Sequence, residues 1–211
     1  MSKRVWLGLA PVLVLGLVAC GGGFTSSGDP LSGTEANDLA AALVEGGAAG
    51  LGGFGAAAPS RAPGAVATTI SQAIHDTIPC TGGDLALDGN ASVTGSQGSS
   101  TITVGFDYTV AHHGCQLPAG GKTFTINGDP NIKAQGDFTL TSGTTSSSFN
   151  GSLSYGGKFD WTSSDSRAGV CGVDLTANYD FTFGGTTTTG SATLTGSVCG
   201  VSVNRQITVT P

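Results

Sequence analysis

The sequence predicts a mainly β protein: an antiparallel meander of about nine strands, curled into a barrel, half-barrel or sandwich, with one or two short N-terminal helices. Three observations predict it. From Asp84 onward apolar residues recur at every second position, segment after segment. Short Gly-rich stretches separate the segments, as turns do. The abundant Thr and Ser (27 and 22 residues, beside 36 Gly) fall mostly on the polar phase of the alternation, where Thr, β-branched and polar, suits the wet face of a strand.

The segments follow in order. Leu85, Leu87, Ala91 and Val93 form the first, and Ile102, Val104, Phe106, Tyr108 and Val110 the second. Phe124–Ile126, Ile132–Leu140, Phe149–Tyr155 and Phe159–Trp161 continue the pattern. Val173, Leu175, Ala177, Tyr179, Phe181 and Phe183 make the longest run, and 192–198 and 201–209 close the series. One-sided strands present an apolar face that must be hidden, and two short helices cover only part of it. The sheet is therefore expected to curl or fold over. Gly89, Gly136 and Gly151 stand in phase with apolar neighbours, where a missing side chain permits a bend. An integral outer-membrane barrel also alternates, but several segments here carry only two or three large apolar residues and no aromatic closes the chain.

Ahead of the strands, residues 21–33 read as a flexible spacer. Ser32 and Glu35 have capping-box spacing, and Ala36, Leu39, Leu43 and Val44 then recur at helical intervals, predicting a helix over 34–45 that Gly46-Gly47 stops. Residues 46–64 are Gly/Ala/Pro-rich. After Pro63 a second helix is expected over 65–78, with Val66, Ile70, Ala73 or Ile74, and Thr77 or Ile78 on one face and Pro79 ending it. The expected domains are a signal peptide (1–19), a flexible tether (20–64) and a β domain (65–211).

The signal is read from the first twenty residues. Met1-Ser2-Lys3-Arg4 is a basic start, and Val5–Ala19 an apolar run shorter than the roughly 20 residues that span a bilayer. Leu17-Val18-Ala19-Cys20 then resembles the lipobox of bacterial lipoproteins. That resemblance covers the signal alone. It implies cleavage before Cys20, diacylation of its sulfur and usually acylation of the new amino group, with palmitate a typical chain. Two or three chains anchor stably where one does not. Gly21, in place of Asp, implies the outer membrane if the source is diderm. The mature chain loses Lys3 and Arg4 and keeps six basic against 14 acidic residues, so lipid and not charge must do the anchoring. The same acidity excludes a nucleic-acid partner.

Four cysteines remain: Cys80, Cys115, Cys171 and Cys199. An even number in an exported chain reads as two disulfides with three possible connectivities. Matching the apolar faces of the first two segments sets Leu85 opposite Val110, Leu87 opposite Tyr108 and Val93 opposite Ile102, which brings Cys80 opposite Cys115. Cys171 and Cys199, in matching Val-Cys-Gly-Val stretches expected as turns two strands apart, pair mostly by elimination.

Catalytic, cofactor and metal sites are not expected. His112 and His113 are clustered, but adjacent strand residues point to opposite sides, so they read as histidines without a role. His75 is expected at the end of the second helix. Asn127-Gly128-Asp129-Pro130-Asn131 begins like a calcium loop but lacks the later Gly and Glu, so a hairpin turn is expected. Arg205 lies in phase with Val203 and Ile207, and an inward Arg needs a carboxylate or ligand partner. No nucleophile motif is present, which argues against an enzyme. Two readings follow: a lipid-anchored cell-envelope protein with a structural or interaction role, or a carrier of a small apolar ligand inside a curved sheet.

Overall fold

From residue 83 to residue 209 the two-residue period is realised as strands far longer than the sequence segments. The computed structural model describes residues 26–51, 68–96, 99–184 and 187–209. Their order is β1 (Ser27–Gly28), α1 (Gly33–Leu51), β2 (Thr68–Cys80), β3 (Gly83–Gly95), β4 (Thr101–Ala119), β5 (Lys122–Ser142), β6 (Ser146–Ser163), β7 (Ala168–Gly184), β8 (Thr187–Val198) and β9 (Val201–Val209). β2 to β9 form an antiparallel meander, each paired with the next. β1 pairs with Gly169 and Val170 of β7, beyond the point where β8 stops. The class is mainly β, as the alternation predicts.

The nine expected strands after Asp84 are seven, because two expected breaks are bridged. Asn127–Asn131 is not a hairpin turn but a bulge within β5. Opposite β4 the register jumps from Gly128, which faces His112, to Ile132, which faces Val110. Gly156 and Gly157 likewise stay paired inside β6.

The expected helix over 65–78 is a strand, β2, paired with β3 from Thr68 to Cys80. Ile70, Ile74 and Ile78 are four apart, which suits a helix face, but all are even-numbered and so also share one strand face. Five β-branched residues between Thr69 and Ile78 favour the strand, and a full-length partner decides it. His75 accordingly sits mid-strand, 3.3 Å from Asp88.

α1 begins as its capping box requires. Ser32 N–H donates to Glu35 Oε2 (2.8 Å) and Glu35 N–H to Ser32 Oγ (3.2 Å). The helix runs past Gly46 and Gly47 to Leu51, since Ala48, Ala49 and Leu51 are strong helix formers. Ala36, Leu39, Ala40, Leu43 and Val44 make one buried stripe, packed on the concave face of the sheet against β4, β8 and β9.

Asp38 shows how far the sheet curls. One of its oxygens accepts from Gly120 N–H after β4 (3.1 Å) and the other from Arg205 of β9 (3.2 Å). In a flat sheet strands five places apart would lie roughly 24 Å from each other. Here one carboxylate touches both, so the sheet is a half-barrel wrapped on α1.

Of the expected tether of 20–64, the described residues 26–51 are docked on the sheet. Gly172 N–H donates to Ser26 Oγ (2.9 Å), Ala168 N–H to Asp29 Oδ2 (3.0 Å), and Leu31 is buried. A Ser/Gly/Asp composition reads as a spacer, yet its short polar side chains are what bond a strand's free backbone. Cys20, with the rest of 1–25, lies outside the described residues.

Both disulfides form as expected, Cys80–Cys115 with Cα atoms 5.5 Å apart and Cys171–Cys199 with 4.4 Å. The registers behind them differ from expectation. β3 and β4 pair two residues away from the expected register, with Leu87 opposite Val110 and Gly89 opposite Tyr108. A two-residue shift keeps the apolar face inward, and it sets both Tyr108 and Phe106 against small residues, Gly89 and Ala91, where the expected register would set Tyr108 against Leu87. A Cβ on Gly89 would lie 2.4 Å from Tyr108 Cα. Cys80 reaches Cys115 from the end of β2, because the 81–82 turn lies against β4, where Gln116 N–H donates to Thr81 O (2.7 Å). Cys171 lies inside β7, not in a turn, and Cys199 follows the neighbouring strand β8, so the expected gap of two strands does not exist.

Candidate functional site

The densest polar constellation lies where α1 begins, at the end of the sheet that holds the 81–82, 120–121, 164–167 and 199–200 connections. Glu35 is its hub, with a side chain only 5% exposed. The capping box fixes its backbone, and its carboxylate receives Lys122 Nζ from β5 (2.8 Å) and the Arg167 guanidinium. Asp165 accepts from both of the same cations, Lys122 Nζ at 2.6 Å and Arg167 Nε at 3.0 Å. Arg167 also donates to Pro30 O (2.9 Å) and lies over the Trp161 ring, 5.8 Å from its centroid.

Burial alone raises the Glu35 pKa, but the hydrogen bonds from Lys122, Ser32 and Arg167 outweigh it and bring the carboxyl down from 4.5 to about 2. The Lys122 and Ser163 hydrogen bonds hold Asp165 well below the usual carboxylate range. Pro30, Ser32, Thr34, Glu35, Lys122 and Arg167 border an open cleft of about 660 Å³. Chemically the cluster is a closed two-cation, two-anion network. Ser163 donates to Asp165, with no imidazole in the arrangement to act as a base. It fixes α1 to the β4–β5 and β6–β7 turns. Among the described residues no group of three His, Cys, Asp or Glu side chains could hold a metal ion.

Of these residues the sequence singled out only the Ser32–Glu35 box. Lys122, Asp165 and Arg167 come from turns more than 40 residues apart, and no local spacing marks them. The available signal is scarcity of charge: beyond residue 65 the chain has only five Lys or Arg, and two of them, Lys122 and Arg167, stand beside turn-like stretches.

The other expected positions are spread through the fold. Arg205 is partly exposed and meets its carboxylate in Asp38, so its partner belongs to the chain itself. His113 points outward and bonds Asp84 Oδ1 (2.7 Å). His112 points inward, 3% exposed, with Nδ1 unpartnered. Burial first, then the neighbouring His113, lower its pKa from 6.5 to about 4. Beside it Tyr155 Oη also lacks a hydrogen bond of good geometry, and burial raises that hydroxyl well above its usual range. His112 and Tyr155 line, with Leu43, Val110, Ile132 and Val173, an enclosed space of about 10 Å³. That is roughly the room one water needs. Over the part of the concave face that the described α1 side chains cover, the interior is thus filled.

At the opposite end the interior continues beyond the described α1 side chains as a row of rings. Phe138 stacks on Phe149 (4.9 Å between centroids), Tyr179 lies 6.5 Å from Phe181, and Phe181 6.5 Å from Phe183. Phe183 and Ile70, at this end, are the exposed large apolar residues of the described chain.

No family model, no curated protein and no solved structure matches the chain.

Proposed function

We propose that the protein is a lipid-anchored component of a bacterial cell envelope whose role is structural or one of interaction, not catalysis. The observation that carries this is Leu17-Val18-Ala19-Cys20 behind a short basic and apolar start. Two disulfides support it, because such bonds persist in oxidising compartments outside the cytosol. The docking of Ser26 on β7 adds a geometric consequence. Cys20 precedes Ser26 by six residues, a reach of roughly 20 Å when fully extended. A lipid on Cys20 would hold the α1-start end of the domain next to the bilayer, and the ring-lined end would project away.

The carrier reading is weaker, since α1 occupies the space a ligand would need and would have to leave it. Metabolic labelling with an alkyne fatty acid in a bacterial host tests the proposal. The wild-type chain should be labelled, sediment with membranes and have its N-terminus at Cys20, and Cys20→Ala should lose both label and sedimentation. An unlabelled chain cut elsewhere overturns it.

A further inference from the structure

The curled sheet has two lateral edges, and they are finished differently. β9 is one. The two-residue turn 199–200 makes Val198 and Val201 a hydrogen-bonded pair, so Ser202, Asn204, Gln206 and Thr208 turn their backbone polar groups away from β8. α1 covers the middle of that row. Asn204 N–H donates to Asn37 Oδ1 (3.2 Å), and Asp38 holds the adjacent Arg205.

β2 is the other edge. By the same rule the turn 81–82 pairs Cys80 with Gly83, and Thr69, Ser71, Ala73, His75, Thr77 and Pro79 turn their backbone polar groups outward. The last two positions are closed. Pro79 has no N–H, and Thr77 N–H is taken by Asp76 Oδ1 (2.8 Å). The first four have no strand beside them among the described residues. The stretch Thr69–His75 also contains no Pro, Lys, Arg, Asp or Glu, the residues that ordinarily blunt an open edge. Ile70, within it, is 45% exposed.

We propose that this edge is a homodimer interface, in which the Thr69–His75 stretches of two copies pair antiparallel about Gln72. That centre is the one that uses all four open positions. Ser71 then faces Ala73 of the second copy, and Thr69 faces His75. Both are odd-numbered pairs joined by backbone hydrogen bonds, and Pro79 and Thr77 fall outside. On the apolar side Ile70 meets Ile74 of the second copy, and no like charges are brought opposite each other. The occupant is a second copy because the edge is self-complementary in this register. Among the described residues each chain offers one open edge of this kind, so pairing closes at two copies and does not propagate.

The register makes a specific demand. Gln72 lies opposite itself in a non-hydrogen-bonded pair, with Cα atoms about 4.5 Å apart, within disulfide reach. Full-length Gln72→Cys, in isolated membranes under mild oxidation, should cross-link into dimers at least tenfold faster than Thr77→Cys, which the register places far from its counterpart. Adding Ser71→Pro should abolish that cross-link while leaving the circular dichroism and Tm unchanged, because the Ser71 N–H faces away from β3. Equal rates at positions 72 and 77, no cross-link at either, or a cross-link that survives Ser71→Pro in a folded chain overturns the proposal.

Discussion

At the end of the sheet where α1 begins, two disulfides, β1 and the network centred on Glu35 tie turns, helix and strands together. At the opposite end the described residues show Thr, Ser and aromatic side chains with neither a disulfide nor a multi-charge network. The concave face there ends in the partly exposed rings of Phe149, Phe181 and Phe183. Both ends belong to the same strands and carry the same backbone ladder. The contrast shows that in a chain only 10% charged, cross-links and ion pairs are concentrated where they hold α1 in place. Elsewhere stability rests on strand pairing and apolar burial.

The largest effects should come from the covalent ties. Replacing Cys80 and Cys115, or Cys171 and Cys199, with Ala opens loops of 35 and 28 residues. Each loss should cost about 3–4 kcal/mol in denaturant unfolding. A loss under about 1 kcal/mol for both pairs would erase the contrast between the ends.

Acid should next separate the core from the network. His112 is held neutral down to about 4 in the folded state against 6.5 unfolded. Between those values the unfolded chain binds a proton that the folded chain refuses. Stability is therefore full above pH 6.5 and falls as pH drops to about 4, by about 3 kcal/mol. Glu35 acts lower down, its contribution present above pH 4.5 and lost as pH falls through about 2. Urea midpoints from pH 7 to pH 3 should show the first step in the wild type and not in His112→Phe. At pH 7, Glu35→Gln should cost about 2 kcal/mol, because Lys122 and Arg167 lose their buried anion but remain partly solvated.

The smallest effects belong at the open end. Phe183→Ser, at a residue 42% exposed, should change stability by no more than about 0.5 kcal/mol. A cost above 2 kcal/mol would mean that this end is as tightly built as the other.

The sequence made one part of this contrast legible and hid the other. Strand phase and the capping box could be read because each depends on residues close in sequence; the two cysteine pairs came out right although one rested on a register two residues off and the other mostly on elimination. The β3–β4 register differs from the expected one by two residues, since either choice keeps the same faces; what separates them is that the observed one sets both Tyr108 and Phe106 against small residues, Gly89 and Ala91, and not Tyr108 against Leu87. The β2 segment reads as a helix because the four-residue spacing of Ile70, Ile74 and Ile78 fits both periods. Of the stapling network, Glu35 could be seen but not its partners. Lys122, Asp165 and Arg167 meet it only after the sheet curls, and nothing local in the sequence encodes that curl.

Hydrogen exchange resolved by segment compares the two ends most directly. At pH 7 the hydrogen-bonded amides of 113–117, 168–173 and 198–203 should exchange at least tenfold more slowly than those of 101–104, 139–142 and 181–184. Equal protection at both ends, or faster exchange at the disulfide-bonded end, would contradict the asymmetry.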